Sequence, residues 1–276
     1  VNVVWAALIV VAVTAVAIAV MLVVRRTAPE GSRFADGDRA AGVFGVLATG
    51  FSVLLGFIVF LAFTSYDQSR SGAEQEALVL VQQVEDAQFF AQPTSGRLTG
   101  ELVCYARSVV NGEWNQMRAG TQGDAINPWG VALFRTFRGV QPHTAAQQAA
   151  YSKWLDQTSA REEARRDRIH GAVGVIPTTL WIALFFISTV IFVFMLFFAD
   201  SGERAVTQSV LMGSVVSVMV ALLLLLQALD NPFSGGVGGL KPVAMQRSLR
   251  MVDEALGAVG VKVQYPCDVV GKPVPS

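Results

Sequence analysis

Histidine and cysteine are scarce in this chain: His143, His170, Cys104 and Cys267 are the whole supply among 276 residues. His143 follows Pro142 in a polar loop and His170 sits at the mouth of an apolar run, so neither has metal-ligand spacing. There is no CxxC, HExxH or GxSxG, and no phosphate-binding glycine loop. The stretch GGVGGLKP at 235–242 has the glycines but lacks a GK[ST] ending, and reads as a flexible re-entry or a turn. No catalytic residue, cofactor or metal site is expected, and the protein is not read as an enzyme. Charge is scarce too. Asp, Glu, Lys and Arg make up 15% of the chain, where a soluble domain carries about 25%. Net formal charge is zero, and no nucleic-acid partner is expected.

What is abundant is hydrocarbon. Residues 3–24, 41–63, 173–199 and 206–229 contain no Asp, Glu, Lys or Arg, and each run is at least 22 residues long. At ~1.5 Å per residue each run crosses a ~30 Å hydrocarbon core. The expected fold is an all-α membrane protein with four transmembrane helices. The first run is not read as a signal peptide, because its basic pair Arg25-Arg26 follows the apolar stretch instead of preceding it. The partner implied at once is the lipid bilayer.

Residues 64–172 separate the second and third runs, and a tail of residues 230–276 follows the fourth. Arg25, Arg26, Arg33 and Arg39 follow the first run and no charge precedes it. By the positive-inside bias residues 25–40 lie in the cytoplasm, and 64–172 with the tail lie outside it, in a multi-pass protein of the plasma (inner) membrane. Arg161, Arg165, Arg166 and Arg168, just before the third run, oppose this count. With four spans, Cys104 and Cys267 share one side. They form a disulfide if that side is oxidising, or remain two unpaired thiols.

Helical spacing continues past the membrane. Ala73, Ala77, Leu80, Val84 and Ala87 form one apolar stripe, with Glu74, Glu85 and Asp86 off it. The second span therefore extends as one helix toward Pro93, and the composition of 147–174 suggests a mirror arm feeding the third span at about Gly171. Leu98, Leu102, Tyr105 and Val109 mark a further helix, and Pro128 to Val140 another. The insert reads as a helical extramembrane bundle.

SYDQSRSGAEQEA after the second span, CYARSVVNGEWNQM about forty residues later and LDNPFSG after the fourth span are the informative motifs. In that order, with four spans around them, they resemble the bestrophin-like family of bacterial membrane proteins, a family of unestablished activity. The resemblance implies likeness to bestrophins, which are pentameric anion channels with four spans per subunit and a cytoplasmic soluble part. It points to an oligomeric anion channel, in a homo-oligomer or as a subunit of a membrane complex.

Three residue groups carry the site expectations. Gly42, Gly45, Thr49, Ser52 and Gly56 form a stripe of small residues on the second span, for close helix packing or for a pore face with Phe44, Phe51 and Phe57 directed elsewhere. Tyr66, Asp67 and Arg70 end the second span, and Asp230, Asn231 and Ser234 end the fourth. This membrane-edge cluster anchors the interface, with an Asp67–Arg70 pair on one helix and Asp230 as a cap or cation ligand. Cys104 and Cys267 are the third group. Trp114 is expected inside the bundle and Glu113 outside. The spans hold no ionisable residue, which argues against a proton-coupled carrier. The competing reading is a non-conducting membrane scaffold or accessory subunit, with Val131 to Phe137 as its exposed apolar patch.

Overall fold

The computed structural model describes residues 2–30, 33–34, 36–121, 127–236, 238–258, 260 and 263–274. Its helices are α1 (Val3–Arg25), α2 (Gly37–Ala87), α3 (Thr94–Ser108), a π-turn (Val109–Glu113), α4 (Trp114–Arg118), α5 (Pro128–Arg138), α6 (Ala145–His170), α7 (Thr178–Phe197), α8 (Ala205–Asp230) and α9 (Val243–Ala258). Among the described residues there is no strand, only an isolated bridge between Cys267 and Pro273. Four helices, α1, α2, α7 and α8, are long and apolar enough to cross a membrane.

The chain divides into two compact units. The first comprises Val1–Thr64, Gly174–Asp230 and Gly236–Gly238; the second comprises Ser65–Val173, Asn231–Gly235 and Gly239–Ser276. Helix α2 belongs to both. It runs 51 residues without a break, roughly 75 Å at ~1.5 Å per residue. It contains no proline, and in lipid the backbone has no alternative partner for its N–H and C=O groups.

In the first unit Phe51, Leu55, Ile58 and Ala62 of α2 pack with Leu184 and Ile191 of α7 and Leu226 of α8. Ala17 and Met21 of α1 pack on Met212 and Val216 of α8. Gly213 permits that approach: a Cβ there would lie 3.1 Å from Ile18 Cδ1. At one end the Arg25 guanidinium donates to the carbonyls of Asp200, Ser201 and Glu203, tying α1 to the α7–α8 loop. Helix α7 starts at Thr178, five residues later than the apolar run, because Pro177 sets the start. The mirror arm is therefore not continuous. Helix α6 ends at His170 and a separate helix follows, leaving α2 as the unbroken one.

The second unit holds the bundle. Leu80, Leu98, Leu102, Tyr105, Trp114, Met117, Trp129, Leu133, Phe137 and Trp154 form its core. Helix α5 begins on Asn127, whose side chain accepts from the Trp129 N–H, with Pro128 in the first turn where no N–H is required. Helix α6 begins on Thr144, which accepts from the Gln147 N–H. Helix α2 stops at Ala87, short of Pro93, where the Gln88 amide turns to bond Val84 O and Thr99 Oγ1. The tail contributes α9, an amphipathic helix whose Ser248 hydroxyl donates to Ala77 O of α2.

Candidate functional site

The small-residue stripe on α2 lies open. Gly42, Gly45, Thr49, Ser52 and Gly56 are all exposed or half-exposed, and a Cβ at Gly42, Gly45 or Gly56 would meet no atom within 4 Å. Close packing inside one chain is thus not what the stripe serves. Ser52 and Gly56 edge a cleft of about 500 Å³ walled by α2, α7 and α8, with Phe44 and Phe51 at one side and Met219 and Leu222 at the other. The two serines of the cleft satisfy themselves: Ser52 Oγ donates to Ala48 O and Ser214 Oγ to Leu211 O. Phe51 is buried, Phe57 is 60% exposed, and Phe44 joins Phe34, Phe194 and Phe198 in an aromatic cluster.

The membrane-edge residues have separate tasks. Asp230 is buried and its carboxylate accepts from the Ile176 N–H at 3.0 Å and the Trp181 indole N–H at 3.4 Å. Both are N–H donors at the entry to α7, which places Asp230 as a cap there. Gly174 makes room, since a Cβ there would lie 2.9 Å from Asp230 Oδ2. Arg70 does not pair with Asp67; its Nε donates to Glu74 Oε1 at 3.2 Å on the exposed face, one turn further on. Asp67 is exposed and Tyr66 half-buried. The Ser234 N–H donates to Asn231 O, closing the turn after α8. Gly235 and Gly238 adopt positive φ in that loop, while Val237 between them lies outside the described residues.

The strongest assembly of polar groups lies elsewhere, in the bundle. Along α2, Ser69, Glu76 and Gln83 recur every seven residues on the face that includes Leu80, and all are fully buried. Along α6, Trp154, Arg161 and Arg168 recur at the same interval and are 2%, 2% and 0% exposed. The two series meet. Gln83 Oε1 accepts from Arg161 Nη1 at 2.6 Å. Glu76 takes a two-pronged bond from Arg168 Nε and Nη2. Ser69 Oγ accepts from the Gly171 N–H just past α6. Between them Gly72 brings the backbones together: a Cβ there would stand 2.5 Å from Arg168 N and 2.7 Å from Ala164 O.

Glu113 completes the cluster. It is expected on the surface but is 8% exposed, and Arg168 Nη2 and Arg165 Nη2 donate to it at 2.5 Å and 3.2 Å. Four residues after Val109, it continues the stripe of Leu98, Leu102 and Tyr105, and the extra residue of the π-turn brings Trp114 inward beside it. Burial works to raise the Glu113 pKa, but Arg168 and Arg165 hold it below the usual carboxylate value. Burial, then the Glu76 charge, push the Tyr105 hydroxyl well above 10, and that hydroxyl donates to Glu76 Oε1 at 2.6 Å. Asp86, placed off the apolar stripe, is likewise buried and pairs with Lys153 at 3.1 Å. Sequence reasoning misses this cluster. The signal that could have found it is the period of seven: a charge on a core-facing position demands a partner.

Two further expectations find their answer in the bundle. Cys104 and Cys267 are joined, with Cα atoms 5.7 Å apart. The apolar patch proposed for a scaffold is instead largely core: Leu133 and Phe137 are buried, and Phe134 alone of its large apolar side chains is strongly exposed.

Four membrane-length helices and an inserted helical bundle, with a long second helix common to both, define a multi-pass helical membrane protein. The family model for the bestrophin-like domain matches residues 3–238, and the chain belongs to that family. It is a membrane protein of the bestrophin type. The fold agrees. The crystal structure of a bacterial bestrophin homologue from Klebsiella pneumoniae aligns with a TM-score of 0.66 at 14% identity, over 95% of this chain and 100% of that one. Another crystal structure, of a membrane protein variant, aligns with a TM-score of 0.68 at 13% identity over 90% and 98%. No curated protein matches the sequence.

Proposed function

We propose that this chain is one subunit of a homo-oligomeric channel for small anions, with the stripe of α2 at the contact between copies. The observation that carries the reading is the open stripe at Gly42, Gly45 and Gly56. The chain's own packing buries only 11%, 22%, 11% and 28% of the apolar stretches of α1, α2, α7 and α8. Small residues without a neighbour suit the close approach of another helix in lipid. The four apolar runs carry no Asp, Glu, Lys or Arg, which fits a passive pore lined by apolar and small polar groups better than a proton-coupled carrier.

The bundle and tail lie outside the cytoplasm in this proposal, in a plasma (inner) membrane. Arg25, Arg26, Arg33 and Arg39 follow the first span. The opposing Arg161, Arg165, Arg166 and Arg168 weigh less because they belong to a long loop, and long loops translocate largely regardless of charge. The Cys104–Cys267 bond suits an oxidising compartment.

The test is native mass spectrometry in mild detergent together with anion flux in liposomes. The unaltered protein is expected as a closed oligomer that passes small anions. Gly45→Leu is expected to disrupt assembly, since overpacking costs about 1–3 kcal/mol at each contact, and Phe57→Ala to leave assembly intact. Normal assembly of Gly45→Leu with blocked flux would place the stripe at the lumen. A monomer without flux would overturn the channel and return the search to a scaffold.

A further inference from the structure

The tail after α9 lies across α3 and α5 of the bundle. Gly100 on α3 faces it so closely that a Cβ there would stand 2.8 Å from Gln264 O. Arg107 stacks on the Tyr265 ring at 4.6 Å and donates to Asp268 O. Cys267 is bonded to Cys104, and the two are 6% and 0% exposed. Beyond the bond the Asp268 carboxylate accepts from the Val270 and Lys272 N–H groups and closes a turn. Gly271, at φ +85°, presses on the backbone of Ser108, where a Cβ would come within 2.3 Å of Ser108 N. Its carbonyl accepts from the buried Trp129 indole at 2.7 Å.

Ser108 and Trp129 also hold Asn127. The Asn127 side-chain carbonyl accepts from the Trp129 N–H, and its amide donates to Ser108 Oγ and to Glu113 Oε1, both at 2.9 Å. Glu113 holds Arg168, which holds Glu76 on α2. A continuous run of contacts therefore joins the disulfide to the long helix.

We propose that residues 263–274 are a redox clasp: with the Cys104–Cys267 bond closed they seat Asn127, which holds Glu113 in the buried cluster, and reduction by a dithiol releases both. One thiolate of the dithiol attacks one cysteine sulfur, and the other cysteine leaves as a thiolate. The second thiol of the reagent then closes its own disulfide and frees the first cysteine. Two electrons and two protons pass to the cysteines. Because both sulfurs are covered, the clasp lifts before attack, so reduction reports on its opening. The inference does not depend on the channel reading.

Hydrogen exchange of the full-length protein in detergent, read segment by segment before and after dithiothreitol, tests it. Exchange in 263–274, 105–113 and 127–131 is expected to rise about ten-fold or more, while 3–25 and 205–230 keep their protection. Faster exchange confined to 263–274 would overturn the proposal. So would uniform loss across the bundle, which would make the bond a general staple, or absence of the Cys104–Cys267 peptide from unreduced protein. Asn127→Ala examines the route with the bond intact. Faster exchange is expected in 109–117 with 263–274 unchanged, and no change in 109–117 would exclude Asn127 as the link.

Discussion

Two arginines in one bundle show how position decides the worth of a charge. Arg168 is fully buried between Glu76 and Glu113, whereas Arg70 and Glu74 pair with side chains 60% and 62% exposed. Removing one member of a buried pair strands its partner in a poor solvent at a cost of about 3–5 kcal/mol. Arg168→Ala strands Glu76, while Glu113 keeps Arg165, and is expected to destabilise the bundle by about that much. Arg70→Ala is expected to change stability by less than about 1 kcal/mol. Chemical denaturation in detergent, followed by tryptophan fluorescence, reads both; equal effects would contradict the ranking. Glu101 gives a test of opposite sign. It is 7% exposed, with Thr136 donating to one oxygen at 2.8 Å, and burial raises its pKa despite Thr136 and Arg97. A raised carboxyl pKa favours the folded state fully below the unfolded value, and that stability is lost as pH rises through the folded pKa. Glu101→Gln keeps an acceptor for Thr136 and removes the titration. Its melting temperature is expected above that of the unaltered protein at pH 7, with the gap closing as pH falls below about 4.5.

At the scale of elements, two glycines on helices invite the same substitution with opposite outcomes. Gly72 is the one glycine in the part of α2 beyond the membrane run, and it lies where α6 crosses. Alanine there gains about 1 kcal/mol of helix propensity, but its Cβ meets backbone atoms at 2.5 Å and 2.7 Å. Overpacking of that kind costs about 1–3 kcal/mol, so Gly72→Ala is expected to lower stability. Gly257, in the last turn of α9, has nothing within 4 Å of a Cβ, and Gly257→Ala is expected to raise stability by up to about 1 kcal/mol. Thermal melts of the two variants decide it, and two shifts of the same sign would refute the role of the crossing. The existence of these helices was legible because apolar period and run length report burial directly. Their joints were less so. The stop of α2 at Ala87 is made by Gln88 bonding Thr99, and the inward placing of adjacent Glu113 and Trp114 together by a π-turn. Both depend on tertiary partners that no local window contains.

For the whole molecule, the membrane architecture could be read from four uncharged runs, since lipid imposes one strict rule on any span. The candidate site was legible in part. The stripe at Gly42, Gly45 and Gly56 announced itself by spacing, but only the folded chain reveals that it is open. The buried cluster was hidden for the reverse reason: Arg161, Arg165 and Arg168 resemble a surface-charged helix in sequence, and their partners Gln83, Glu113 and Glu76 are 52 to 92 residues away. Orientation rests on Arg25, Arg26, Arg33 and Arg39 after the first span, since the long 64–172 segment translocates largely regardless of its own arginines. The bundle is therefore expected outside the cytoplasm, and single-cysteine labelling with an impermeant maleimide tests it. Ser95 is unsuitable because it is 3% exposed, whereas Gln116 and Gln141 of the bundle and Glu203 of the α7–α8 loop are exposed. The native cysteines stay in place, since their bond removes them from the reaction. Gln116→Cys and Gln141→Cys are expected to label on intact spheroplasts, and Glu203→Cys only after the membrane is opened. Labelling in the reverse order would put the bundle in the cytoplasm, where a reducing pool works against the Cys104–Cys267 bond. Reversed labelling together with an intact bond in freshly trapped cells would separate the two grounds for this orientation and leave neither sufficient alone.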